Sequence, residues 1–478
     1  MSRMIHDTMT RALHELNHRL SRLRELLHGE PDAALWAAIC DLIGGWPEGD
    51  ELLLALEYAE QHLCGWPDAL RAAPRAWWSR ALRRGDATEE PRLRLARALR
   101  VSLSPGERRA WALARRPELR FLRHLQIVGQ GAGDAEVRAL LEAPHLRALR
   151  ALCLRATRLS ADGVALLASS ARLETVERLD LGGNRFGSAE LEALATARHL
   201  TTLQHLDLSS NALAGADLRG LTVLGRSTRL SGLQVLRLDW NHLHPRAVEV
   251  FAPMEGLGEL RELDLSHNPI GDQGAEALAR SPATSRLRVL RLASAGIGDR
   301  GAEALARSPH VSHLRRLDLL NNPIGDPGAQ ALASSPHLGG LARLELSRHH
   351  LTRRGLMALA TSTHLNPRLV ASLTHPAAFL RVLGHHREAV FHPIYEGVNT
   401  LGGGAVVDVA LDRDGERHDC TVSYDGRGFA VLDLDTPGGL RVNGHAVTRA
   451  EVGHGDRIEV GRHVLELRVV PSCHIRRL

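Results

Sequence analysis

Lysine is absent, so all 60 basic side chains in the 478 residues are arginine. Without an ammonium side chain, neither a phosphate-binding Gly-rich loop ending in Lys-Ser or Lys-Thr nor a Schiff base can form. A GC-rich coding bias explains the substitution and points to a bacterial source. Three tyrosines and six phenylalanines leave little on which nucleic-acid bases could stack. The arginines alternate with 55 acids for a net charge of +5, and no concentrated basic stripe marks a nucleic-acid binder. The five cysteines (Cys40, Cys64, Cys153, Cys420 and Cys473) are odd in number and scattered. They contain no CxxC pair, which speaks against a disulfide framework or a zinc cluster. No apolar run approaches the roughly 18 to 20 residues of a membrane-spanning helix, and Met1 to Thr10 shows no apolar signal-peptide core. A cytoplasmic location is therefore expected. No GxSxG nucleophile elbow occurs. Gly402 to Gly404 lie between β-type runs and read as a turn. His385-His386 with His392 is a histidine cluster without a carboxylate or cysteine to complete a ligand set. The expectation is a non-enzyme with no metal, cofactor or small-molecule substrate.

What is present falls into three regions. Residues 1–120 read as a helical capping domain, with Met4, Leu13, Leu16, Leu20, Leu23 and Leu27 on one helix face and further helices at Asp50 to Leu63 and Arg92 to Leu99. Six of the seven tryptophans lie here (Trp36, Trp46, Trp66, Trp77, Trp78 and Trp111) and are expected to form its core. Gly45-Trp46-Pro47-Glu48 is echoed at Gly65-Trp66-Pro67-Asp68, which suggests turns that begin with Trp-Pro.

From residue 121 to 365 the chain repeats. Nine units begin at Leu122, Leu149, Val176, Leu203, Leu233, Leu260, Leu287, Leu314 and Leu341, in steps of 27 residues with one of 30. Apolar residues recur at positions one, four, six and usually eleven, as in Leu260, Leu263, Leu265 and Ile270. Positions four and six point to one side of a short strand and need neighbouring units to complete their core. Asparagine at position nine (Asn184, Asn211, Asn241, Asn268 and Asn322) can satisfy backbone groups where the strand turns. Gln130, Thr157, Ala295 and His349 replace it, so units one, two, seven and nine are expected to be looser there. A helix follows in each unit. Asp272, Asp299 and Asp326 occupy N-cap-like positions, Pro327 the helix start, and Pro282, Pro309 and Pro336 the helix ends.

This LxxLxLxxNxL pattern with Ala-rich helices resembles the leucine-rich-repeat family, in particular its ribonuclease-inhibitor-like branch. The resemblance implies an α/β horseshoe with parallel strands on a concave face and helices outside.

After a linker at 366–392, residues 393–470 alternate β-type runs with turn signals, among them Asp425-Gly426 and Asn443-Gly444. The reading is an all-β sandwich. Leu401-Gly402, Asp408-Val409, Arg417-His418, Asp433-Leu434, Val442-Asn443-Gly444 and Gly455 to Gly461 give it a likeness to forkhead-associated (FHA) domains, which bind phosphothreonine peptides. The arginine, serine and asparagine that hold phosphate in that family fall here on Gly402 to Gly404, on Gly415 or Glu416, and on Gly438. Asp435 and Glu416 would repel a phosphate, so no phosphate-binding residue is carried over.

The concave face is the better candidate. Position five reads Gln126, Cys153, Asp180, Asp207, Arg237, Asp264, Arg291, Asp318 and Glu345, a mainly acidic ladder. Trp240 sits at position eight beside Asp239, in a column with His267, Asn321 and Arg348, and is the expected interface anchor. The longer fourth unit is expected to add a loop to this rim near Arg226 to Thr228. The leading function is a protein-binding adaptor or scaffold. Alternatives are an inhibitor or immunity-type protein that occludes an enzyme, an FHA-dependent phosphoprotein adaptor, an enzyme with its site in the N-terminal helices, and a nucleic-acid binder.

Overall fold

The computed structural model describes residues 2–83, 89–103, 108–128, 132–215, 217–347, 350–367, 369–370, 378–382, 391–394, 397–403, 409–412, 418–424, 429–434, 439–460 and 463–469. Gln130, Arg348, His349, His385, His386, Gly404, Asp408, Gly415, Glu416, Arg417, Asp425, Gly426, Asp435, Gly438 and Gly461 lie outside them. The chain divides into two units, Met1–Asn241 with Met254–Leu260, and His242–Pro253 with Arg261–Leu478.

The first unit opens with helices α1 (Ser2–Leu27), α2 (Ala33–Gly44), α3 (Asp50–His62) and α4 (Arg75–Arg83). Asp32 starts α2 by accepting the Leu35 N–H at 2.6 Å, the usual use of an N-cap carboxylate. Trp36, Trp46, Trp66, Trp77 and Trp78 are buried, and the Trp36 indole donates to the Ala72 carbonyl at 2.7 Å. Trp111, on α5 (Arg108–Ala114), is instead 46% exposed.

The helical reading of 1–120 gives way at its C-terminal end. Where a helix was expected over Arg92 to Leu99, the chain forms a 3-10 turn at Pro91–Leu95 and then strand β1 (Ala98–Ser102). β1 pairs in parallel with β2 (His124–Val128), setting Leu99 against Leu125. The reason is a carbonyl ladder that starts before the first recognised repeat. Arg71 O accepts from Arg97 N and Ala98 N, Arg97 O from Arg123 N and His124 N, and Arg123 O from Arg150 N and Ala151 N. Four buried charges lock this region. Arg92 donates to Glu90 at 2.8 Å and to the carbonyls of Ile43 and Trp46. Arg116 grips Glu118 with two bonds of 3.1 and 2.7 Å, and Glu118 also accepts the Glu90 N–H at 2.6 Å.

β3 (Ala151–Cys153), β4 (Arg178–Asp180), β5 (His205–Asp207) and β6 (Val235–Arg237) continue the first unit's parallel sheet in sequence order. In the second unit, β7 (Glu262–Asp264), β8 (Val289–Arg291), β9 (Arg316–Leu319) and β10 (Arg343–Leu346) pair in the same way. Three side-chain ladders with the repeat period join successive units. In the first, each asparagine reaches back one repeat. Asn211 Oδ1 accepts from Asn184 N and Phe186 N at 3.0 Å, while its amide donates to the carbonyls of Leu181 and Leu208. Position eight just before it is left-handed in every unit where it is described: Ala156, Gly183, Ser210, Trp240, His267, Ser294 and Asn321 have φ of 52–69°. That kink turns the asparagine under the strand end. It costs about 1–2 kcal/mol at each non-glycine residue, which the amide's bonds offset.

The replaced asparagines have specific consequences. The Thr157 hydroxyl takes over part of the missing amide by donating to Leu154 O at 2.7 Å. Ala295 has no amide to offer, so one unit upstream Ile270 N bonds Asn268 O and Gly271 adopts φ 59°.

The second ladder corrects the expected caps. Asp272, Asp299 and Asp326 serve the next repeat's helix, not their own. Asp272 Oδ1 accepts from Gly298 N and Gly301 N at 2.7 and 2.9 Å, and Asp299 does the same for Gly325 and Gly328. A Cβ on Gly301 would stand 2.8 Å from the Asp272 oxygen, so the close approach requires glycine. In the third ladder, serines before the prolines (Ser281, Ser308 and Ser335) donate to carbonyls of the preceding helix at 2.5 Å. The prolines begin 3-10 turns at Pro282 and Pro309. The longer fourth unit is also corrected. Its helix starts at Arg219, sixteen residues after Leu203, against twelve in the third unit, from Val176 to Ser188. The extra residues therefore precede the helix, where Asp217 accepts the Arg219 N–H, and do not lie at Arg226 to Thr228.

At the C-terminus β11 (Ala378–Val382) falls inside the expected linker, because it pairs with both β12 (Phe391–Ile394) and β21 (His463–Val469). Between them come β13 (Gly397–Gly403), β14 (Val409–Asp412), β15 (His418–Tyr424), β16 (Phe429–Asp433), β17 (Leu440–Val442), β18 (His445–Val447), β19 (Arg449–Val452) and β20 (Arg457–Val460). Two sheets result, in the orders β12-β11-β21-β20-β17-β18 and β14-β13-β15-β16-β19. Ile394, Leu440, Ile458 and Leu465 of one share a core with Cys420, Val422, Phe429 and Val431 of the other. Asn443-Gly444 makes the expected two-residue hairpin, with φ of 51° and 83°, the left-handed pair that a type I′ turn needs.

Candidate protein-binding face

The position-five aspartates are first of all structural. Asp180, Asp207, Asp264 and Asp318 each accept the N–H two residues on, from Gly182, Ser209, Ser266 and Leu320, at 2.9–3.1 Å. This Asx turn closes the strand end. Three acids of the ladder are buried, Asp207 and Asp318 at 7% exposure and Glu345 at 6%. Guanidinium groups stand against buried and half-buried acids alike. In the first unit Arg155 stands 3.6 Å from Asp180 and 3.7 Å from Asp207, while Arg237 approaches Asp207 at 3.8 Å. Cys153 donates to Asp180, and burial pushes its thiol up to about 11. In the second unit Arg291 pairs with Glu262 and lies 3.9 Å from Asp264. Glu345 takes Arg343 at 2.5 Å and Arg316 at 3.1 Å. The expected acidic ladder is thus a neutralised, arginine-laced surface. Burial also lowers the pKa of His267, which keeps its imidazole uncharged near neutral pH.

What each unit leaves accessible differs. In the first, Trp240 is 54% exposed, beside half-buried Arg237 and Asp239. In the second, Asp264, His267 and Arg291 are half-buried.

Asp318 and Glu345 face each other in register and share a hydrogen bond. Burial, with the Glu345 charge added, pushes the Asp318 carboxyl from 3.8 up to about 7. A raised folded-state pKa means that the contribution to stability is full below 3.8 and lost as pH climbs through about 7. Asp318→Asn keeps an oxygen for Leu320 N and removes the charge. Its expected result is a flatter dependence of the thermal midpoint on pH between 4 and 7. At pH 8 the midpoint should rise, by about 2–4 °C for each kcal/mol recovered. Differential scanning calorimetry across that range checks it.

One catalytic-type motif escaped the sequence reading. His14-Glu15-Leu16-Asn17-His18 on α1 fits HExxH, which can place two zinc ligands on one helix face. His14, Glu15 and His18 are exposed, and Glu15 is paired with Arg19 at 2.5 Å. Among the described residues no group of three metal-ligating side chains stands together, so no zinc chemistry is assigned to it. No described helix is long and apolar enough to cross a membrane.

With this geometry in place, the family comparison is decisive for the repeats: the model described as "Leucine Rich repeat" matches residues 199–221, 260–279, 286–306 and 310–333. Residues 199–333 carry leucine-rich repeats. The search of curated proteins gives no match. Among solved structures, the chain is similar to an internalin from Listeria monocytogenes at 18% identity and TM-score 0.32, over 57% of this chain and 80% of that one. It is similar to the FHA domain of a Chlamydia trachomatis protein at 17% identity and TM-score 0.19, over 20% and 98%. A further FHA domain matches at 24% identity and TM-score 0.18, over 20% and 97%, and its description names phosphothreonine-dependent interactions of that domain. Leucine-rich repeats present long, regular side-chain rows suited to gripping another protein.

Proposed function

We propose that the chain is a non-enzymatic adaptor or scaffold, cytoplasmic, that binds a protein partner on the open face of its repeat strands. The observation that carries this reading is Trp240. Its backbone is held in the left-handed region at φ 57°, yet its ring is 54% exposed. An indole this open to solvent has apolar area left to bury against a partner, and Trp and Arg are both enriched among interface hot spots. In the first unit Arg237, Asp239 and half-buried Asp180 supply the polar surroundings of Trp240, with Asp207 buried beneath them. The second unit offers a polar row of its own in Asp264, His267 and Arg291, with Asp318 and Glu345 buried. The C-terminal sandwich is a second module, FHA-like in its order of motifs but without that family's phosphate-binding residues. Two modules on one chain would raise the effective concentration of one partner at the other.

Lysate capture with the full chain and with its Trp240→Ala/Arg237→Glu variant tests the reading. The expected result is at least one protein held by the first and depleted about tenfold or more by the second, the loss of one hot spot. Identical captures would remove the open face from the account.

A further inference from the structure

We infer that the outer edge of β1 is a second binding surface, built for an extended acidic-apolar peptide of a partner protein. Three observations converge there, all within the first unit and independent of the repeat face. First, β1 ends its sheet. Ala98 is its last residue bridged outward, to Ala72, with its carbonyl accepting from Ala73 at 2.8 Å and its N–H donating to Arg71 O at 3.0 Å. Backbone groups alternate sides along a strand, so Arg100 and Ser102 turn their N–H and C=O the same way as Ala98. Among the described residues no strand lies beside them. An unpaired strand edge is a template for another strand.

Second, a cavity of about 820 Å³ runs along this edge, with Leu82, Leu99 and Leu113 in its walls. Trp78 lines it as well, and the Trp78 indole N–H is buried without an acceptor. A buried orphan donor costs about 1–3 kcal/mol, and a peptide carbonyl entering the cavity is the natural acceptor. Third, Arg75 and Arg100 line the same cavity and are exposed, while no carboxylate appears among its described lining residues. An incoming strand with apolar residues toward the leucines and acids toward the arginines satisfies all three features at once.

Panning a phage-displayed library of random eight-residue segments on the full chain, with subtraction on its Arg75→Glu/Arg100→Glu variant, tests this. Enriched segments should alternate apolar and acidic residues. Synthetic copies should shift the Trp78 indole N–H resonance, identified by its loss in Trp78→Phe. N-methylation of alternate backbone amides in the peptide should weaken binding about tenfold or more, because it removes ladder hydrogen bonds. Equal enrichment on both chains, or an affinity indifferent to N-methylation, overturns the inference. So does reversible dimerisation of the wild-type chain that Arg100→Glu abolishes, since the edge would then take a second copy.

Discussion

Replacing Glu118 with alanine is expected to destabilise the first unit by about 3–5 kcal/mol, the largest effect of any single substitution considered. Glu118 is 1% exposed and Arg116 2%, and the carboxylate takes two guanidinium bonds and the Glu90 N–H. Its removal takes the Glu118 counter-ion from a buried guanidinium and the acceptor from the buried Glu90 amide. The double change Arg116→Met/Glu118→Leu should be far milder, because no charge is left without its counter-ion. Urea unfolding of the two variants separates the cases. Equal losses would mean that the network matters through packing and not through charge.

Asn211→Ala follows, at about 2–4 kcal/mol. Four buried backbone groups lose a partner together (the N–H groups of Asn184 and Phe186, the carbonyls of Leu181 and Leu208), and each unsatisfied buried group costs about 1–3 kcal/mol before relaxation. The natural Ala295 shows how relaxation proceeds, by a tightened turn at Asn268 to Ile270. There Pro269 brings no N–H of its own to satisfy, whereas the third unit has Arg185 at that place. Hydrogen exchange at Asn184 and Phe186 should accelerate along with the loss of stability. Unchanged exchange at those amides would mean that the ladder is not what protects them.

The repeats were legible because their core positions recur at fixed offsets, and the position-nine asparagines because one amide can meet several backbone groups. What recurs between repeats was less legible. Asp272 looks like a cap for its own helix until the neighbouring repeat brings Gly298 and Gly301 to it. The unit at β1 was hidden by its 26-residue step and by Ala96 where the other units begin with leucine or valine, although Pro91-Arg92-Leu93-Arg94 does foreshadow Pro117-Glu118-Leu119-Arg120. The buried arginines could not be recognised in a chain whose every cation is arginine. The candidate face was read as a row of outward positions, but three of its acids are buried and guanidinium groups offset its charge. Arg155 reaches Asp207 from two units away, and no local pattern reports that. HExxH was there to be seen in α1. No zinc chemistry is assigned to it, because among the described residues no third ligand stands beside it.

Photo-cross-linking tests the central claim most directly. A benzophenone amino acid is placed in the full chain at Trp240 and, separately, at Arg307, a helix residue whose side chain is 77% exposed. The account expects a cross-linked partner band from position 240 and none from 307, competed away by unmodified full-length chain. A band from 307 alone would contradict it and move the partner to the helix side.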